Sequence, residues 1–202
     1  MLFVMKILLD NGHGYDTPGK RSPDDRLREY VYTRQITLEI DKELKKLGYD
    51  SERIVIEDND VSLTARCNRV NKFCDKLGAS NVILISVHVN AAGNGGWLAA
   101  RGWCAYTSKG KTKSDELAEH LYMAAEKYLE GHKIRRDKSD GDADQEANFT
   151  VLTKTKCPAV LTENLFQDNK EDVNFLLSAE GRKAIVDLHV QGIISYIKAV
   201  KG

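Results

Sequence analysis

The chain is short of most features that mark a specialised class. Its 202 residues hold only 3 Pro, 4 Cys and 2 Trp, and 30 Lys+Arg balance 30 Asp+Glu. Zero net charge excludes a protein that grips nucleic acid or an anionic membrane through bulk charge. With so few prolines, no low-complexity run and no internal repeat, nothing reads as a linker to a second module. One domain over residues 1–202 is expected, long enough to bury a full core without staples.

The cysteines Cys67, Cys74, Cys104 and Cys157 form no CxxC, and none has the spacing to histidine of a zinc finger. Cys67 and Cys74 fall on one predicted helix, roughly 10 Å apart, beyond disulfide reach. All four read as buried small apolar side chains. No apolar run is long enough to span a bilayer, so no integral membrane segment is expected. Met1 to Leu9 is mostly apolar, but it lacks the basic start and small-residue cleavage site of a signal peptide. Synthesis in the cytoplasm is expected, with any release by a route other than a conventional signal.

What the chain does have is alternation. Lys6 to Leu9 reads as a buried strand, Glu29 to Leu47 as a helix with Ile36, Ile40, Leu44 and Leu47 at the helical period, and Ser51 to Ile56 as a short strand. Ser62 to Leu77 is a second predicted helix closed by Gly78. Val82 to Val87 is a continuous apolar run, as in a central strand covered on both faces. Gly102 to Thr107, Phe149 to Leu152 and Ala159 to Thr162 are strand candidates; Ser114 to Tyr128 and Glu180 to Lys198 are helices. The order predicts an α/β three-layer sandwich, a mostly parallel or mixed twisted sheet with helices on both faces. Sites in such sheets gather at the carboxyl ends of strands.

Three strand ends carry chemistry: Asn11-Gly12-His13-Gly14, Ser86-Val87-His88-Val89-Asn90 and Thr162-Glu163-Asn164. Glu29 begins the first helix on the stripe of Ile36 and Ile40, so it should face inward. A buried carboxylate needs a cation, a proton or a metal. Two imidazoles and a carboxylate suit Zn²⁺ with a fourth position left for water, whose pKa the metal lowers toward roughly 7. A further carboxylate outside the ligand set, a role that suits Glu163, could then move the proton. Gly12 and Gly14 would let the backbone come close. Taken singly, a strand-end histidine is more often structural than a ligand, and at this level both readings stand. His120, His132 and His189 read as structural or solvated. Gly14 to Lys20 has the spacing of a phosphate-binding loop, but Arg21 stands where Ser or Thr should, and Pro23 follows. It reads instead as a solvated loop by the site, where Lys20 or Arg21 could meet acidic substrate groups.

At these residues the chain resembles the zinc-dependent N-acetylmuramoyl-L-alanine amidases of the Amidase_3 type. The matching segments are Leu9 to Gly14, Arg28-Glu29-Tyr30, Ile85 to Ala91 and Pro158 to Asn164, with Gly102 to Thr107 and Phe149 to Leu152 fitting strands between them. They span nearly the whole chain in the family's order. The resemblance implies a zinc site of His13, Glu29 and His88, catalysis by Glu163, and hydrolysis of the amide between N-acetylmuramic acid and L-alanine in peptidoglycan. Asn90 is a candidate to orient substrate, and a monomer is expected. The chain departs from the family's pattern at Thr153, at Ala91 to Arg101 with Trp97, and at Leu165, where many members have Gly before the Phe. Its compact, signal-less form looks like a phage or prophage lysis enzyme acting on the cell wall. A zinc carboxypeptidase with the same ligands and a catalytically silent wall-binding protein are the alternatives, the second disfavoured by Glu163.

Overall fold

The computed structural model describes residues 5–93, 95–139 and 141–201, so the first four residues of the apolar start lie outside it. Six strands form one sheet in the order β2-β1-β3-β6-β4-β5. They are β1 (Lys6–Asn11), β2 (Asp50–Arg53), β3 (Val82–Asn90), β4 (Cys104–Thr107), β5 (Gln145–Glu146) and β6 (Ala159–Phe166). β2, β1, β3 and β6 run parallel, and β4 pairs antiparallel to β6. The mixed α/β sandwich predicted above is what forms.

The two-residue period of each strand sorts side chains between two cores. Ile7 and Leu9 of β1 and Ile83, Ile85, Val87 and Val89 of β3 face one side. Leu8 and, from β3, Val82 and Leu84 face the other. Covering the first side are α1 (Glu29–Lys46), α3 (Lys113–Tyr128), α5 (Lys170–Leu177) and α6 (Ala179–Lys201). Ile36, Ile40 and Leu44 of α1 are completely buried there, each worth about 2 kcal/mol of apolar burial. The second side is covered by α2 (Leu63–Leu77), capped by Ser62 Oγ at Ala65 N, and by the single turn α4 (Thr150–Thr153). All four cysteines are buried and free. No helix among the described residues is long and apolar enough to cross a membrane.

One predicted strand is a helix. Phe149 to Leu152 enters α4, with Phe149 at its N-cap and Thr153 Oγ1 donating to Phe149 O at 3.2 Å. Both edges of β6 are already taken by β3 and β4, and β4 is paired with β5 on its other edge. Four residues are also too few for periodicity to separate a strand from one helical turn. β3 and β6 each run past their predicted ends, to Asn90 and Phe166. α5 and β5 were not expected from the sequence; α5 is capped by Asn169 Oδ1, which accepts from Glu171 N and Asp172 N.

Candidate active site

The parallel register of β3 and β6 sets His88 directly beside Glu163. By the same alternation that turns Leu84 and Leu161 toward α2, both side chains emerge on the α2 face, at the carboxyl end of the sheet. β1 ends one strand over, and His13 follows it in the left-handed backbone region, φ +60°. That conformation is costly for a residue with a side chain and gathers at functional sites. Arg34 Nη1 holds it by donating to His13 O at 3.0 Å.

The two glycines around His13 have separate steric duties. A Cβ at Gly12 would lie 2.4 Å from the His88 ring, and one at Gly14 would lie 2.0 Å from Asp60 N. The Gly14 loop is laced to the segment before α2, with Tyr15 N donating to Asp58 O and Thr17 Oγ1 to Asp60 Oδ2. The amides of Gly14, Tyr15 and Thr17 are thus committed within the protein, which agrees with setting aside a phosphate-binding role.

Glu29 opens α1 and is buried as its helical stripe predicted. Its Oε1 accepts from Val89 N at 3.0 Å and lies 3.2 Å from His88 Nδ1 and 3.6 Å from His13 Nε2. Its Oε2 is buried without a partner among the described residues. The two imidazoles stand edge to face, centroids 5.1 Å apart. One donor atom from each of His13, Glu29 and His88 falls within 4.8 Å of the other two. This donor set fits zinc: two nitrogens, one carboxylate, and an orphaned buried oxygen that an ion would satisfy. Burial pushes His13 down to about 4, so its ring is neutral as a ligand requires. At His88 burial opposes the charged form, but the Glu29 hydrogen bond and nearby carboxylates outweigh it and raise the pKa. At Glu29 burial pulls upward, yet His88 and His13 together hold the carboxyl below its ordinary range.

Glu163 is half-buried, with Oε2 unpartnered. Burial pushes it up to about 7, against the pull of His88. A carboxyl that exchanges its proton near neutrality suits general acid–base work. Asn90 closes β3; its Oδ1 accepts from Ala91 N at 2.8 Å. A cleft of about 570 Å³ runs past His13, His88 and Glu163, walled by Lys20 and Asp60 and by the apolar Leu63, Phe149 and Leu161.

Two supports were not picked out from the sequence. Arg66 is buried under the cleft, donating to Asp10 Oδ1 at 2.6 Å, Asn11 O at 2.6 Å and Val61 O at 2.7 Å. It stands on the α2 stripe of Val70 and Cys74, so the reasoning that exposed Glu29 would have found it. The second is a chain of hydrogen bonds behind His88. Burial lowers His189 to about 4, keeping it neutral. Its Nδ1 faces Ile185 O at 2.7 Å and its Nε2 faces Thr162 Oγ1 at 2.9 Å. Asn164 Nδ2 donates to Thr162 Oγ1 and, at 2.9 Å, to His88 O, fixing the strand where its register shifts. His120 meets Ser195 and His132 stacks on Phe175, both outside the cluster.

Comparison with known proteins agrees with this geometry. The Amidase_3 family, described as N-acetylmuramoyl-L-alanine amidase, matches residues 7–195. The endolysin of Bacillus phage SPP1 is 27% identical over 202 residues, covering 96% of this chain and 67% of that protein. The N-acetylmuramoyl-L-alanine amidase CwlM of Bacillus licheniformis is 30% identical over 195 residues, covering 94% of this chain and 68% of that protein. Among solved structures, an N-acetylmuramoyl-L-alanine amidase from Clostridium difficile 630 superposes with a TM-score of 0.81 at 25% identity, over 97% of this chain and 98% of that one. The catalytic domain of CwlV from Paenibacillus polymyxa shares the fold, with a TM-score of 0.79 at 20% identity and coverage of 96% and 99%.

Proposed function

We propose a mechanism from one premise: this chain belongs to the Amidase_3 family of N-acetylmuramoyl-L-alanine amidases. The reaction is hydrolysis of the amide between the lactyl group of N-acetylmuramic acid and the L-alanine of the peptidoglycan stem. His13, Glu29 and His88 would hold Zn²⁺. When bound, the ion supplies Lewis acidity for the amide carbonyl and makes water more acidic. The observation that carries the reading is the convergence of these three donors beside the unpartnered oxygen of Glu163.

The chain's own residues supply the rest. Glu163 takes a proton from the attacking water as the water oxygen bonds to the lactyl carbonyl carbon. It then gives that proton to the alanine nitrogen as the C–N bond breaks; the new lactyl carboxyl group loses the water's second proton to the freed amine, leaving a carboxylate and an ammonium terminus. Glu29 is fixed by Val89 N, and His88 by Asn164 behind it, so neither must reorganise during the reaction. Asn90, with its Oδ1 occupied by Ala91 N, keeps its Nδ2 for the substrate. The cell wall is the place of action, and the working form is a monomer.

Mass analysis of digested peptidoglycan tests the reading. Free L-alanine amino termini on stems of full length are expected. Stems shortened from the carboxyl end would instead indicate a carboxypeptidase, and undigested wall a silent binder.

A further inference from the structure

Two cations line the catalytic cleft, Arg66 and Lys20. Arg66 is spent on Asp10, Asp60 and backbone carbonyls. Lys20 makes no ion pair and no side-chain hydrogen bond among the described residues. Resting on the amidase reading, we propose that Lys20 reads the free α-carboxylate of the second stem residue, on the leaving side of the scissile amide.

Lys20 is presented from a fixed backbone. Its carbonyl accepts from Glu29 N at 2.9 Å, and Gly19 O accepts from Gln167 Nε2 at 3.4 Å. The backbone at Lys20 is therefore anchored to the same helix start that carries a ligand of the proposed zinc site. Lys20 lines the same cleft as His13, His88 and Glu163. Of the other walls away from the proposed zinc ligands, Leu63 and Phe149 are apolar, Ser62 and Thr150 offer only neutral hydroxyls, and Asp60 and Glu163 are carboxyl groups. The neighbouring Arg21 and Arg28 are turned to Asp25. Near the scissile bond the sugar side of the substrate brings neutral hydroxyl and acetamide groups. Where the second stem residue is joined onward through its side-chain carboxyl, its free α-carboxylate is the nearest anion, two backbone units along and roughly 7 Å from the scissile nitrogen. A flexible four-carbon stem with a compact charge suits that task.

Two soluble muramyl tripeptides test this, identical except that the second residue's α-carboxylate is free in one and amidated in the other. The wild-type enzyme is expected to prefer the free acid by about tenfold or more in kcat/KM, mostly through KM, as for a hydrogen bond to a charged group. Lys20→Met should bring the preference close to one, and Lys20→Arg should keep most of it. A wild type indifferent to amidation, or a Lys20→Met that retains the preference, overturns the assignment. If the wild type releases peptide from neither compound, the amidase reading falls and this inference falls with it.

Discussion

Adding one methyl group at Gly12 should dismantle the proposed metal centre without unfolding the protein. A Cβ there would lie 2.4 Å from both Cε1 and Nδ1 of His88 and 2.9 Å from Nε2. Carbon contacts settle at about 3.5 Å, so one partner must retreat by roughly 1 Å. The Gly12 backbone is pinned, its N–H donating to Val87 O at 3.0 Å and its carbonyl accepting from Thr33 Oγ1 at 3.3 Å. The ring is the freer element, and leaving its rotamer costs only about 0.5–1.5 kcal/mol. Metal–ligand distances hold to about ±0.2 Å, so a shift of this size takes His88 out of the ligand set. In Gly12→Ala, zinc affinity should fall by about 10- to 100-fold or more, and kcat/KM by about 100-fold. Competition with a chromophoric chelator measures the first, release of peptide from purified wall the second, and a thermal melt shows that the fold survives. A folded Gly12→Ala protein with parental zinc affinity and turnover would refute the steric argument and the placement of His88 in the centre.

Further expectations follow from the same geometry. Glu163→Gln should fold and keep zinc while losing about 10²–10⁴ in kcat; His88→Ala should lose the zinc itself, which elemental analysis reads directly. Arg66→Met strands the buried Asp10 carboxylate, and urea unfolding should register a loss of about 3–5 kcal/mol; a loss within experimental error would mean that the pair supports nothing. Asp144 lies outside the site: burial, opposed by a hydrogen bond from Thr107 and helped by Asp142, pushes it up from 3.8 to about 7. Between those values the folded chain binds the proton that the unfolded chain has lost, so this group's contribution makes stability fall as pH rises from about 4 to about 7. Asp144→Asn should flatten that fall, and melting temperatures across the window check it.

Leu165 shows how a departure in sequence is absorbed in space. The family resemblance implies glycine at this position in many members, and the backbone there has φ +64°, the left-handed region that glycine favours. The leucine accepts that strain, roughly 1–2 kcal/mol, while its side chain is fully buried in the larger of the two cores. Burying a leucine is worth about 1.5–3 kcal/mol, enough to offset the backbone.

What was legible in one dimension is what has a period or an end. Apolar spacing marked α1 and α6, a glycine stop closed α2, uninterrupted hydrophobicity marked β3, and strand ends pointed to His13, His88 and Glu163. The inward stripe of α1 exposed Glu29, because a carboxylate on an apolar face needs a reason to be there. Distance in space has no period. That His88 stands beside Glu163 is a matter of parallel register, and that Glu29 Oε1 comes within 3.6 Å of both imidazoles depends on how α1 packs over the sheet. Short segments were decided the same way: both edges of β6, the strand that follows Phe149 to Leu152, are taken by β3 and β4, and the segment coils into one helical turn. Arg66, Asn164 and His189 sit far apart in sequence from the groups they hold. Their partners exist only once burial strips away water and makes each hydrogen bond obligatory.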